Sequence, residues 1–235
     1  MINQRLFDWY GIDIKKNLKI KTVCPRPFDT VLIDKQGSCY ICECTSWLPQ
    51  SVGNLNKQSL STILNSQTAK ILQDSILDGS YRYCNNKQCS FLLDQRPVGW
   101  TKTQPVAQIK NIRLAIDNSC NLRCPSCRKE LIFKKAGKEF ERRIALADGV
   151  NEWLSTVDHP VKVHIGSDGD PFASRVYQHF MTSAPIKSNI KYSLLTNGLL
   201  FKDFSSNVVQ VIENLSELGV SIDGASKKTY ENLRL

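Results

Sequence analysis

Cys120-Asn121-Leu122-Arg123-Cys124-Pro125-Ser126-Cys127 places three thiols at C-x3-C-x2-C spacing, directly after an apolar run from Ile112 to Ile116. The number three decides the reading. A closed structural metal site takes four protein ligands, and a site with three keeps one position open for chemistry. Thiolates suit zinc and iron–sulfur clusters. The stretch fits a [4Fe–4S] cluster held through three of its irons, with the fourth free to bind something else. The alternative is a zinc site that borrows a fourth Cys or His from elsewhere in the chain.

Downstream of this stretch, strand-like and helix-like text alternates. Ile112–Ile116 reads as a strand, and an amphipathic helical stretch lies between Glu139 and Val157, ended by Pro160. Val161–Ile165 is a second strand, with Pro171–Met181 as its helix. Ile190–Leu195 is a third, followed by a helix over Asp203–Leu215. Leu218–Ile222 is a fourth, and Ser226–Leu235 begins another helix. This alternation predicts right-handed βαβ units on a parallel sheet, where ligands sit at the carboxyl ends of the strands. Those ends read as the three cysteines, then Gly166-Ser167-Asp168-Gly169-Asp170-Pro171, then Thr196-Asn197-Gly198, then Ser221-Ile222-Asp223-Gly224. Four polar or glycine-rich ends in register predict a site that gathers a polar ligand. Gly166 and Gly169 are expected to let the backbone approach that ligand closely. His164, inside the second strand, is expected to be a core histidine. No side chain is singled out as a catalytic group.

Upstream, the chain divides at residues 1–23, 24–95, 96–107 and 108–235. Residues 1–23 read as a surface lead-in, and 96–107, with Pro97, Gly99 and Pro105, as a linker. Between them lie a hairpin (strands Thr30–Ile33 and Ser38–Ile41 around the turn Asp34–Gly37), a turn at Gly53–Leu55 and one or two short helices over Ser59–Asp78. Cys24, Cys39, Cys42, Cys44, Cys84 and Cys89 are spread through this module. The fold class expected is α/β, preceded by a small cysteine-rich α+β domain.

The three-cysteine motif resembles the signature of the radical S-adenosylmethionine (radical SAM) superfamily. The resemblance implies a partial (β/α) barrel whose open iron takes the amino and carboxylate groups of SAM. An electron from the cluster then splits the sulfonium bond, and the 5′-deoxyadenosyl radical takes hydrogen from a substrate. Ser126 stands where the family often has an aromatic residue, and only its backbone is expected to face the adenine. Gly169-Asp170-Pro171 resembles the family's Gly-Glu-Pro motif, which receives the SAM amino group, with a side chain one methylene shorter. Gly166, Asp168, Gly169 and Asp170 are therefore expected around SAM, and Ser221 and Asp223 near its ribose. Residues 24–92 resemble the SPASM and Twitch extensions, which hold auxiliary [4Fe–4S] clusters and usually follow the catalytic domain rather than precede it. That resemblance implies Cys24, Cys42, Cys84 and Cys89 as ligands, with Cys39 and Cys44 spare or one of them replacing Cys42. A zinc knuckle on the same four cysteines is the alternative. A peptide or protein substrate and a reducing partner such as flavodoxin or ferredoxin are also implied.

Composition narrows the function class. Nine cysteines, an odd count at metal-like spacings with no secretory leader, argue for reduced thiols on metal rather than disulfides. No apolar run approaches a membrane span, so a cytoplasmic protein without a membrane partner is expected. The formal net charge of +9 counts every thiol as neutral. Two clusters on seven thiolates would bring about −3, and the lysines are scattered, so no nucleic-acid partner is expected. Two further readings stay open: a zinc-binding interaction module, and an iron–sulfur electron carrier without SAM chemistry. The strand-end motifs, which neither needs, speak against both. Four strands are too few for a closed barrel, and the resemblance implies about two further βα units. The chain is therefore expected to be the N-terminal portion of a longer enzyme, its fourth strand an open edge prone to pairing.

Overall fold

The computed structural model describes residues 23–42, 50–85, 89, 91–92 and 107–234. The chain divides into two compact units, residues 1–32 with 38–110, and 33–37 with 111–235. Each is taken by itself. The lead-in (residues 1–22), residues 96–106 of the linker, Cys44, Trp47 and Trp100 lie outside the described residues.

The first unit is small. Helix α1 (Arg26–Asp29) opens with Pro25 at its cap and Pro27 inside its first turn, where proline's missing N–H is not needed. Strand β1 (Thr30–Asp34) begins in this unit, and its end and the expected turn, in which the Gly37 N–H donates to the Asp34 carbonyl at 2.9 Å and Gly37 adopts φ +80°, are counted with the second. Strand β2 (Ser38–Tyr40) pairs antiparallel with β3 (Gly53–Asn54), Cys39 opposite Gly53. The Ser59–Asp78 stretch folds as two helices, α2 (Leu60–Leu64) and α3 (Gln67–Leu77). Ser66 makes the break. Its Oγ accepts the Ala69 N–H and donates to the Val52 carbonyl at 2.8 Å, so one hydroxyl caps α3 and ties it to the preceding loop. Ser66→Ala is expected to cost about 1 kcal/mol, lowering the thermal midpoint by a few degrees in a circular-dichroism melt. Leu60, Ile63, Ala69 and Leu72 are buried in this unit, as are Val31, Cys39 and Ile41.

The second unit carries four parallel strands lying side by side in chain order: β4 (Asn111–Ala115), β5 (Val161–Ile165), β6 (Ile190–Thr196) and β7 (Leu215–Val220). Between them run α4 (Lys138–Thr156), α5 (Arg175–Thr182) and a broken third crossover. One sheet face is apolar. Ile112 and Leu114, Val163 and Ile165, and Tyr192 and Leu194 stand abreast and are all buried, as are the stripes Leu146, Val150 and Leu154 of α4 and Val176, Tyr177 and Phe180 of α5. The other face is polar: Arg113, His164, Ser193 and Glu217 are successive register partners. Parallel strands covered on both faces read as unbroken apolar runs. These strands alternate because only one face is a hydrophobic core, and His164 lies half-buried on the polar face rather than in that core. Among the described residues, no helix is long and apolar enough to cross a membrane.

Two elements differ from expectation. The Asp203–Leu215 helix is instead α6 (Phe201–Phe204), a 3-10 turn (Ser205–Val208) and α7 (Val209–Glu213). Ser205, Ser206 and Asn207 are residues whose side chains compete for backbone hydrogen bonds, which weakens a helix interior. Strand β7 starts at Leu215, three residues before the expected Leu218, and pairs across a bulge at Tyr192/Ser193. No residue of β7 is fully buried, so alternation of apolar residues does not mark its ends. The last helix, α8 (Lys227–Arg234), lies where expected.

Candidate functional site

The cysteine loop is anchored at its root before the first thiol is reached. Asp117, two residues past β4, is fully buried. Its carboxylate accepts the Ser174 hydroxyl at 2.6 Å and the Ser119 N–H at 3.2 Å, and it pairs with the buried guanidinium of Arg143 on α4. The same guanidinium donates to Asn118 Oδ1 at 3.1 Å and to Glu139. Ser174 also caps α5, accepting the Tyr177 N–H at 3.1 Å. Both crossover helices thus hold residues 117–119. Beyond the root, the Cys120 N–H donates to the Ile132 carbonyl, and a single turn is closed by the Cys127 and Arg128 N–H groups on the Cys124 carbonyl. Cys120 and Cys124 are buried and Cys127 is exposed. Burial pushes the Cys120 thiol up, opposed by the Leu122 backbone N–H and the Arg128 cation.

The three thiols line one cavity of about 160 Å³. Gly166, Asp168, Gly169, Asp170 and Ser221 line it too, as do Ser126, Thr196 and Asn197, so the ends of all four parallel strands meet there. Asp223 is not among the lining residues: its carboxylate stands 2.7 Å from Arg234 Nε. The two glycines have a reason other than ligand approach. A Cβ on Gly166, which adopts φ +101°, would stand 2.3 Å from the Leu195 carbonyl oxygen, and one on Gly169 2.4 Å from that of Ser119. They let the loop after β5 lie against the backbones of its neighbours on either side. Asp170 completes that packing. Its carboxylate accepts the Phe172 N–H (3.0 Å), the Ala173 N–H (3.3 Å), the Thr196 hydroxyl (2.7 Å) and the Asn197 N–H (2.8 Å), while its own N–H donates to the Ser119 carbonyl. Four donors fill a carboxylate, so the Asp170 side chain braces two strand ends, its N–H reaches a third, its carbonyl accepts the Ala173 and Ser174 N–H groups, and the backbone of residues 166–169 is left to the cavity.

Sequence reasoning missed three donors at the sulfurs. Arg128 Nη2 stands 3.4 Å from Cys127 Sγ, Arg234 Nη1 3.9 Å from Cys124 Sγ, and Asn197 Nδ2 3.9 Å from Cys120 Sγ. Arg128 also grips the Asn118 and Asp168 carbonyls at 2.7 and 2.9 Å. Asn197 belongs to strand-end text that reads equally as a turn, and nothing in the sequence brings Arg234 to a cysteine 110 residues away.

In the first unit, Cys24, Cys42, Cys84 and Cys89 line a single cavity of about 40 Å³, walled by Pro27, Ile41, Leu72, Ile76, Tyr81 and Phe91. Cys39 is fully buried within β2 and does not line it. Burial pushes the Cys24 thiol up to about 12, against the Arg26 backbone N–H, and raises that of Cys84 as well, with Cys42 and Cys89 adding to the rise. The uncharged thiols must lose their protons when a metal enters, so loading releases protons. Tyr81 is a wall residue that the sequence does not flag. It adopts φ +48°, stacks on Phe91 with ring centroids 6.1 Å apart, and its hydroxyl accepts the Cys24 N–H at 3.3 Å.

Among the described residues, no three His, Cys, Asp or Glu side chains converge, as they stand, on a point suited to one metal ion. Zinc would require four sulfurs at about 2.3 Å from one centre. A four-iron cluster instead takes one sulfur at each iron, round a larger body. The donor sets fit that group: thiols alone, three at the open cavity and four at the apolar one.

Residues 24–90 match the family model of an iron–sulfur cluster-binding domain, SPASM. Over 131 residues the chain is 25% identical to the GTP 3′,8-cyclase of Campylobacter jejuni subsp. doylei, a match covering 54% of this chain and 38% of that protein. The chain thus spans well under half of the length of this curated relative. No solved structure matches.

Proposed function

We propose that this chain, a radical SAM-family protein with an N-terminal SPASM iron–sulfur cluster-binding domain, holds a [4Fe–4S] cluster on Cys120, Cys124 and Cys127 and S-adenosylmethionine beside it. The observation that supports this is the shared cavity, in which three thiols, with no fourth among the described residues, face the ends of three neighbouring strands. Three ligands leave one iron position for a small molecule. A cluster held by these three cysteines would supply the single electron for reductive cleavage of the SAM sulfonium bond, the chemistry by which hydrogen would be removed from a substrate. The protein's own part is to hold and to shape. Arg143 and Ser174 fix the root of the cysteine loop through Asp117. Asp170 locks the β5 and β6 ends together, and the backbone from Gly166 to Gly169, with Ser221, offers polar groups to the ligand. Sequential parallel strands with a polar inner face suit a partial (β/α) barrel that encloses a substrate.

Cys24, Cys42, Cys84 and Cys89 hold an auxiliary cluster in this reading, which passes an electron away from the substrate or positions it. The substrate class proposed is a peptide or protein, reduced equivalents coming from a flavodoxin or ferredoxin. The relative's name points to a nucleotide, GTP, so both classes belong in the assay.

The test is anaerobic reconstitution, with iron and sulfide counted per chain and the reduced cluster's EPR spectrum recorded with and without SAM. About eight irons and a SAM-shifted signal are expected. About four irons with the same shift would remove the auxiliary cluster. Zinc without iron would overturn the radical reading, and iron blind to SAM would make the chain an electron carrier.

A further inference from the structure

Each of the three sulfurs at the open site has its own N–H donor, and each donor comes from a different element. Arg128 follows the cysteine turn and reaches Cys127. Arg234, at the end of α8, reaches Cys124. Asn197, past β6, reaches Cys120. Two of the three are cations. Their geometry is held by other bonds: Arg128 by two backbone carbonyls, Arg234 by the Asp223 carboxylate, and Asn197 by Asn121 Oδ1 at 2.8 Å and by the Leu199 N–H on its own Oδ1. The four-thiol cavity is lined mainly by apolar side chains, together with Arg26.

We propose that Arg128, Arg234 and Asn197 are positioning residues that set the reduction potential of the group held by Cys120, Cys124 and Cys127, raising it above the value that group would have without them. The inference rests on the reading that both sites hold [4Fe–4S] clusters. Reduction adds one electron to an assembly that is already anionic. N–H donors and cations at the sulfurs stabilise the added charge, and apolar burial opposes it, two of the levers that spread cluster potentials widely.

The test uses the full chain, reconstituted anaerobically, with both midpoint potentials measured by EPR-monitored redox titration at fixed pH. Arg234→Met removes a cation near the end of α8, outside the cysteine loop. Its expected effect is at least a tenfold loss in the reduction equilibrium constant of the three-thiol cluster, 59 mV for one electron, with the four-thiol midpoint unmoved as an internal reference. Arg234→Lys, which keeps the charge, is expected to recover most of the shift. Asn197→Ala, which removes a neutral donor, is expected to act in the same direction by less. A purely structural role would alter loading or stability and leave the midpoint of the loaded fraction in place. If both clusters load and the three-thiol midpoint stays within error in Arg234→Met and Asn197→Ala, the inference is overturned while the functional reading stands. Failure of the unaltered chain to load iron at the three thiols overturns both.

Discussion

Arg143→Met is expected to destabilise the second unit by about 3–5 kcal/mol, the cost of removing one partner from a buried ion pair. Arg143 and Asp117 are 1% and 0% exposed in their side chains, so water does not replace what is lost. Methionine fills the space but offers no donor, and the Asp117 carboxylate keeps only the Ser174 hydroxyl and the Ser119 N–H. Asn118 Oδ1 and Glu139 Oε1 lose this donor as well, while Lys134 still pairs with Glu139 Oε2 at 3.1 Å. Urea denaturation of the metal-free chain measures the loss, as a fall in midpoint at constant slope. The double change Asp117→Asn with Arg143→Met is expected to recover part of it, because no buried charge then stands alone. A second consequence separates this brace from ordinary core packing. Residues 117–119 lead directly into Cys120, so iron retained at the three thiols is expected to fall more in Arg143→Met than in a core variant of equal stability such as Leu154→Ala. Equal loss in the two would reduce Arg143 to a stabilising residue with no bearing on the loop.

Much of this arrangement was legible before the structure, for identifiable reasons. Strand β5 has the bounds read from the sequence because Pro160 and Gly166 close it on both sides and Val161, Val163 and Ile165 alternate cleanly with Lys162 and His164. The cysteines at C-x3-C-x2-C spacing sit after a strand because short-range spacing and the preceding apolar run are local signals. What stayed hidden is whatever the meeting of separate strand ends creates. Asp170 looked like a group to receive a ligand, because the sequence shows its type but not that Thr196 and Asn197 would turn their donors onto it. Gly166 and Gly169 looked like places for a ligand, because a glycine announces a close approach without saying to what. Arg143 is one charge among several on its helix, and only folding buries its guanidinium beside the root of the cysteine loop. Strand β7 was misplaced for the opposite reason: its side chains are exposed or half-exposed, so periodicity had nothing to register there.

Gly166→Ala carries the clearest test of what these glycines are for. If Gly166 were kept bare for a ligand's sake, a methyl group there would spare the metal-free fold and block only SAM. The geometry argues otherwise. The backbone is at φ +101°, where side chains other than glycine's are strained by about 1–3 kcal/mol. The added Cβ would also meet the Leu195 carbonyl oxygen at 2.3 Å and Pro171 Cδ at 3.2 Å. The first of these is backbone in the middle of a parallel sheet and cannot swing aside like a long side chain. Overpacking of this kind costs about 1–3 kcal/mol, so a total of roughly 2–6 kcal/mol is expected in the metal-free chain, before any ligand is present. Leu195 lies one residue before Thr196, which donates to Asp170, so displacing it also loosens the brace between β5 and β6. Denaturation of the metal-free Gly166→Ala chain is therefore expected to show the loss directly. Unchanged stability together with lost SAM response would return the glycine to the ligand. Lost stability would make the narrow gap between β5 and β6 the reason for its presence, with the cavity a consequence of how closely those strands can approach.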